Sequence, residues 1–340
     1  MCHYLIHYKK LFAFLVELLN DEYYGCYSVY LCLQYVVDIY SEVFTMNDKH
    51  KGSLFYTFVL MLTAVIWGAA FVAQSAGMDS VGPYTFNCLR FVLGALILLP
   101  VIFIMDRKNP SPYPWKDKTL IKAGIIVGAF LFLATTAQQI GIMYTSVGKS
   151  GFITAFYIVM VPIFSIFLKK KPGKLIWVSV VLGVIGLYFL CINGESLALA
   201  KGDPFLFACA ILFSLQIIAI DIFAPQVDCL KLSCMEFFVA AVLGLIPMLF
   251  EKPSLASVWD CAIPLGYAGF FSCGIAYTLQ VVAQKHVKPA VASIVMSLES
   301  VFSVLFGFII LRQTLSLREG IGCIIMFAAV ILAQFEPKKH

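Results

Sequence analysis

KSGFITAFYIVMVPIFSIF, residues 149–167, and VKPAVASIVMSLESVFSVL, residues 287–305, read as two copies of one apolar helix. Laid one on the other at an offset of 138, Gly151 falls on Pro289 and Pro162 on Ser300. The flanking sequence repeats as well. TAVIWGAAFVAQ (63–74) leads to Arg90, 23 residues after Trp67, and ILFSLQIIAIDIF (211–223) leads to Glu236, 23 residues after Phe213. KLIWVSVVLGVIGLYFL (174–190) closes the first half and GIGCIIMFAAVILA (320–333) closes the second. The chain is therefore read as one unit written twice.

Composition says what solvates that unit. Hydrophobic residues are 61% of the 340, charged residues 13%, and the mean hydropathy is +0.92. A soluble domain carries about 45–50% apolar and about 25% charged residues, so this chain lacks the polar surface to face water and is placed in lipid. Ten apolar runs are long enough to cross a bilayer as helices: 53–76, 84–105, 120–141, 147–168, 175–192, 204–223, 230–250, 261–283, 289–311 and 318–335. Without water to satisfy the backbone, such runs have to be helical. The fold expected is all-α, ten transmembrane helices in two five-helix repeats. Five is odd, so the repeats enter the membrane in opposite senses. The domains are then an N-terminal extension (1–45), a first repeat (46–192) and a second repeat (203–336).

Basic residues set the orientation. With 46–52 on the cytoplasmic side, fifteen Lys and Arg fall in the breaks on that side, among them Lys49, Lys51, Lys169, Lys170, Lys171, Lys285, Lys288, Lys338 and Lys339. Five fall on the other: Lys149, Lys201, Lys252, Arg312 and Arg318. Both ends of the core are thus expected in the cytoplasm. Residues 1–45 do not fit the pattern. Glu17, Asp21 and Glu22 break their best apolar run, and MNDKHKG from Met46 reads as a natural start, so the extension is either a start-site artefact or an interfacial segment.

The residues that follow resemble a known family, the drug/metabolite transporter superfamily and within it the EamA-like permeases. The likeness rests on Trp67-Gly68, on Arg90 in LRF, on YTSVGKSGFITAFYIVMVP (144–162), and on SLES (297–300) followed by LRQTLS (311–316). Members often carry Pro where Ser300 stands and Glu where Gln313 stands. The resemblance implies a transporter fold with a central cavity lined by the first, third, fourth, sixth, eighth and ninth helices.

Ionisable groups inside apolar spans are costly and tend to face a cavity or a partner. Glu299, deep in the ninth run, is the clearest; its roles are proton or cation coupling, holding a substrate amine, or a buried structural carboxylate. Arg90 and Glu236 read as coupling groups or as helix-to-helix clamps, and Asp221 as a solvated helix end. Trp67, Gln138, Gln139, Tyr157, Gln216, Tyr277, Gln280 and Glu299 form the expected substrate-binding set, although a polar residue of this kind taken alone is more often interhelical glue. Gly124 and Gly128 form a GxxxG that permits a close helix contact.

No enzyme is expected. Gly148-Lys149-Ser150 ends like a phosphate-binding loop, but Met143 stands where its first Gly is required and no strand precedes it. Gly148-x-Ser150-Gly151 spells a GxSG, yet the only candidate histidine, His286, belongs to a break on the opposite face. Cysteines such as Cys88, Cys191, Cys209, Cys273 and Cys323 are scattered through apolar runs with no CxxC, and His3, His7 and His340 lie near the termini, so neither metal nor cofactor is called for. The expected function is secondary active transport, by alternating access, of small metabolites such as amino acids or related compounds, and the resemblance implies export. The partners are a small-molecule substrate and the lipid bilayer, with proton coupling at Glu299 and a homodimer both permitted and no nucleic acid. The alternative is a polytopic sensor or accessory factor that transports nothing.

Overall fold

The computed structural model describes residues 53–144, 147–191, 200–310 and 316–335. The extension 1–45, Lys49, Lys51, Arg312, Gln313, Lys338 and Lys339 lie outside the described residues. Within them every element is helical and no strand occurs. The helices are Ser53–Gly77, Pro83–Lys108, Lys118–Ile142, Val147–Thr154 with Tyr157–Phe167, Lys174–Cys191, Asp203–Phe223 and Cys229–Glu251. They continue as Ala262–Tyr267, Ala268–Tyr277 and Thr278–Gln284 in one run, Pro289–Met296 with Glu299–Ile310, and Leu317–Gln334. We call these the first to tenth segments in chain order. Among the described residues nine spans are long and apolar enough to cross a membrane, and the fifth, apolar from Lys174 to Leu190, falls just short.

Polar residues at the ends fix where the helices start. Asp117 accepts from the Thr119 amide (2.7 Å) and Asp228 from the Leu230 and Lys231 amides (3.0 Å each). Ser316 and Glu319 close a capping box on the tenth segment. The second segment begins at Pro83, suited to a first turn, and borrows its cap from elsewhere. Glu251, last residue of the seventh segment, accepts from the Tyr84 amide (3.0 Å), the Thr85 amide (2.7 Å) and the Thr85 hydroxyl (2.6 Å).

Three segments depart from single continuous helices. The fourth breaks at Ala155–Phe156 and the ninth at Ser297–Leu298. At both breaks the ladder tightens to three-residue steps: Ile158 N reaches Ala155 O (3.0 Å) and Ser300 N reaches Ser297 O (3.2 Å). In the ninth, the Ser293 and Ser297 hydroxyls bond back to the Ala290 and Ile294 carbonyls (2.9 and 2.7 Å), offering the backbone an alternative to the regular ladder. The eighth segment is wound as a π-helix from Ala268 to Tyr277. Irregular backbone at membrane depth survives only when enclosed by protein or lining a cavity, and the residues at all three places are largely buried.

The second and seventh segments pack along each other, as do the fifth and tenth, the third and sixth, and the first and ninth. The contacts of the first pair exchange under one offset, which carries residues 88, 90 and 95 to 234, 236 and 241. Cys88 Sγ donates to the Ala241 carbonyl (3.5 Å), and Cys234 Sγ donates to the Ala95 carbonyl (3.8 Å). A glycine of a neighbouring helix also packs on each member of this pair. A Cβ on Gly269, in the eighth segment, would lie 2.6 Å from Leu93 Cβ and 3.3 Å from the Arg90 carbonyl oxygen. A Cβ on Gly128, in the third, would lie 2.8 Å from Val239 Cβ and 2.7 Å from the Glu236 carbonyl oxygen. Gly124 packs against Met235, so the GxxxG of the third segment seats on the seventh.

Candidate functional site

The segments enclose a cavity of about 30 Å³ at their centre, room for one or two waters. Its wall takes Trp67, Phe71 and Gln74 from the first segment, Arg90 from the second, Gln138 from the third and Tyr157 from the fourth. The sixth adds Phe213, Gln216 and Ile217, the eighth Ser272, Tyr277 and Gln280, and the ninth Met296 and Glu299. Both helix breaks deliver a residue to it. Tyr157 and Glu299 are the first residues after the breaks in the fourth and ninth segments, and the Tyr157 hydroxyl donates to Glu299 Oε1 at 2.9 Å.

The charges on this wall are not paired with one another. Arg90 is 1% exposed; its Nη1 donates to Gln74 Oε1 (3.2 Å), its guanidinium lies 5.0 Å from the Phe91 ring centre, and Nε and Nη2 have no protein acceptor. Glu299 is 6% exposed and makes no ion pair among the described residues. Trp67 Nε1, Gln216 Nε2 and Gln280 Oε1 are likewise unpartnered, while Gln280 Nε2 donates to Gln216 Oε1 at 3.4 Å. Trp67 and Tyr277 set their rings 4.7 Å apart as an aromatic wall. Buried polar groups are normally satisfied, so a cluster of open donors and acceptors around one space is the arrangement of a site that expects a polar ligand or water.

Seven of the eight residues expected at a substrate site, and Arg90, therefore meet on this wall. Gln139 and Glu236 do not. Gln139 turns to the backbone of the first segment, its Nε2 donating to the Gln74 carbonyl (3.2 Å). Glu236 is fully buried away from the cavity with both carboxylate oxygens unpartnered. Sequence reading passed over Phe71, Gln74, Phe213 and Ile217. The signal was present: Phe71 and Gln74 stand four and seven residues after Trp67, and Ile217 four after Phe213, spacings that share a helix face.

The two ends of the bundle differ. At one end, Lys169, Lys170, Lys171, Lys285 and Lys288 line a separate, wide pocket of about 530 Å³, with Gln284 one turn along the eighth segment from Gln280. Asp221 is not the solvated helix end expected: Lys170 reaches across to pair with it, leaving the carboxylate side chain 10% exposed. At the other end, Lys149 and Asp203 form a buried ion pair of 2.7 Å between the fourth and sixth segments. Among the described residues no three His, Cys, Asp or Glu side chains gather as metal ligands.

The family model for EamA-like transporters matches residues 54–192 and again 200–335. This chain belongs to the EamA-like transporter family. It is a multi-span membrane transporter. A transporter of Archaeoglobus fulgidus is 30% identical to it over 274 residues, covering 80% of this chain and 83% of the relative. The inner membrane transporter YedA of Escherichia coli K12 is 23% identical, covering 79% and 87%. YoaV, a transporter of Bacillus subtilis 168, is 22% identical, covering 81% and 95%. A solved crystal structure superposes with a TM-score of 0.68 over 82% of this transporter and 96% of that protein; at 18% identity the likeness is one of fold.

Proposed function

We propose that this EamA-like transporter is a secondary active exporter of small metabolites, amino acids or related compounds, across the cytoplasmic membrane by alternating access. The observation that carries the reading is the pair Arg90 and Glu299. They are buried, of opposite sign and unpaired with each other, and they face one cavity. A ligand with a carboxylate at one end and an ammonium at the other would satisfy both, with Trp67 and Tyr277 against its apolar part.

The exchange of Cys88–Ala241 with Ala95–Cys234, with Gly269 and Gly128 packed on the two members of the pair, supports reading the halves as inverted repeats of five helices each. Transporters of that design place their substrate between the repeats and use broken helices to line the site. Closing of one end by Lys149–Asp203 while the lysine-lined end stays wide supports alternating access. The excess of lysine and arginine at the wide end supports a cytoplasmic mouth and cytoplasmic core termini. Glu299, held by a neutral phenol and no cation, is the group in this reading that carries a proton or the substrate amine.

The test is growth of bacteria expressing the chain on toxic amino-acid analogues, nucleoside analogues and cationic drugs. Resistance confined to amino-acid analogues is the expected result. Sensitisation would reverse the direction of transport, and resistance to cationic drugs alone would remove the bipolar substrate.

A further inference from the structure

Arg90 and Glu236 occupy corresponding places in the second and seventh segments, under the offset that exchanges Cys88–Ala241 with Ala95–Cys234. The helix covering each is matched too, since Gly269 seats over the Arg90 carbonyl and Gly128 over the Glu236 carbonyl. The two side chains differ in their surroundings. Arg90 faces the cavity and has Gln74 as a partner, whereas Glu236 is turned away from the cavity and neither of its oxygens is bonded. The offset carries Gln74 to Ile220, so no polar partner waits for Glu236 at the matching place. Gln216 lies within hydrogen-bonding reach of the Glu236 carboxylate and itself lines the cavity. The covering helices differ in the same sense: the one over Arg90 is π-wound, and the one over Glu236 is a regular α-helix from Lys118 to Ile142.

We propose that Arg90 and Glu236 take turns on the central cavity, one in each of the two states of the transport cycle. This rests on the reading of the halves as inverted repeats. In this proposal each half, as the two rock against one another, takes up the conformation its mate had before. Glu236 then moves past Gln216 onto the cavity wall, and Arg90 withdraws to the enclosed position that Glu236 has here. The wall changes its charge as it changes the side to which it opens. With Arg90 in place it holds an anionic group; with Glu236 beside Glu299 it repels one. A ligand can shift a two-state equilibrium only by its difference in affinity for the states, and this exchange supplies such a difference for the carboxylate end of the substrate. A buried carboxylate with one amide in reach and no cation beside it is costly, so the present state stores a tendency for Glu236 to leave, opposed by contacts such as Lys149–Asp203.

The test leaves both residues native. The full chain in lipid nanodiscs is treated with a water-soluble carbodiimide and glycine ethyl ester, which mark accessible carboxyls, or with p-hydroxyphenylglyoxal, which marks accessible arginines. Peptide mass spectrometry then reads Glu236 and Arg90. The same is done with Lys149→Ala, which removes the ion pair closing the far end, and with Asp203→Asn as a second opening variant. The expected result is that labelling of Glu236 rises roughly tenfold in the opened proteins while labelling of Arg90 falls. Silence of Glu236 in all three proteins, or a parallel rise of both residues, would overturn the exchange. Transport of amino-acid analogues with Glu236 silent would remove the exchange and leave the proposed substrate standing. Reciprocal labelling without transport would do the reverse.

Discussion

Glu299→Gln is expected to abolish export of the amino-acid analogues while leaving the protein folded and in the membrane. The amide preserves the shape of the side chain and can still accept from the Tyr157 hydroxyl that now donates to Oε1 at 2.9 Å. It cannot carry a negative charge. A hydrogen bond to a charged group is worth about 1.5–3 kcal/mol, so losing the ammonium contact alone weakens substrate binding roughly ten- to hundredfold. If Glu299 also carries the coupled proton, uphill transport stops altogether. The check is the resistance assay together with size-exclusion elution and thermal midpoint of the purified variant. Full resistance with the variant would remove Glu299 from the mechanism.

The second large effect is structural. A Cβ on Gly68 would sit 2.5 Å from Phe302 Cβ and 2.8 Å from both Phe302 C and Ser303 N. Backbone atoms cannot rotate out of the way, so Gly68→Ala has to force the first and ninth segments apart. Overpacking of this kind typically costs about 1–3 kcal/mol. The same displacement moves Trp67, next in sequence, relative to Glu299 across the cavity. We expect a thermal midpoint several degrees lower and a loss of transport larger than the loss of folded protein. An unchanged midpoint with unchanged transport would contradict the packing.

The helices were legible because lipid imposes a length and an apolar composition on any span, and Ser53–Gly77 or Cys229–Glu251 meets both plainly. The breaks were not. TAFYIV and MSLESV keep the composition of unbroken helix, and the local signal, a serine hydroxyl returning to a carbonyl in the ninth segment, is equally common in straight helices. The π-winding of Ala268–Tyr277 is invisible for the same reason, since AGFFSCGIAY has the composition of an ordinary apolar helix. Side-chain direction was the harder matter. Gln138 and Gln139 are adjacent, about 100° apart around the third segment. That segment is apolar on its outer side as well as its packed side, Ile121, Ile125 and Leu133 being exposed, so no apolar stripe shows which of the two faces inward. One lines the cavity and the other bonds to the Gln74 carbonyl. Glu236 shows the same limit: its place opposite Arg90 is written in the sequence, its turn away from the cavity is not.

Counterflow in proteoliposomes shows whether one cavity holds both ends of a bipolar substrate. Vesicles containing the full chain are preloaded with unlabelled amino acid of the class found in the growth panel, and entry of the labelled compound is followed. The competitors are the parent amino acid, its amide, which lacks the carboxylate for Arg90, and its deaminated acid, which lacks the ammonium for Glu299. The account predicts transient accumulation of label, strong competition by the parent, and competition weaker by about tenfold or more for each of the other two. Equal competition by all three, or no counterflow with any amino acid, would contradict it.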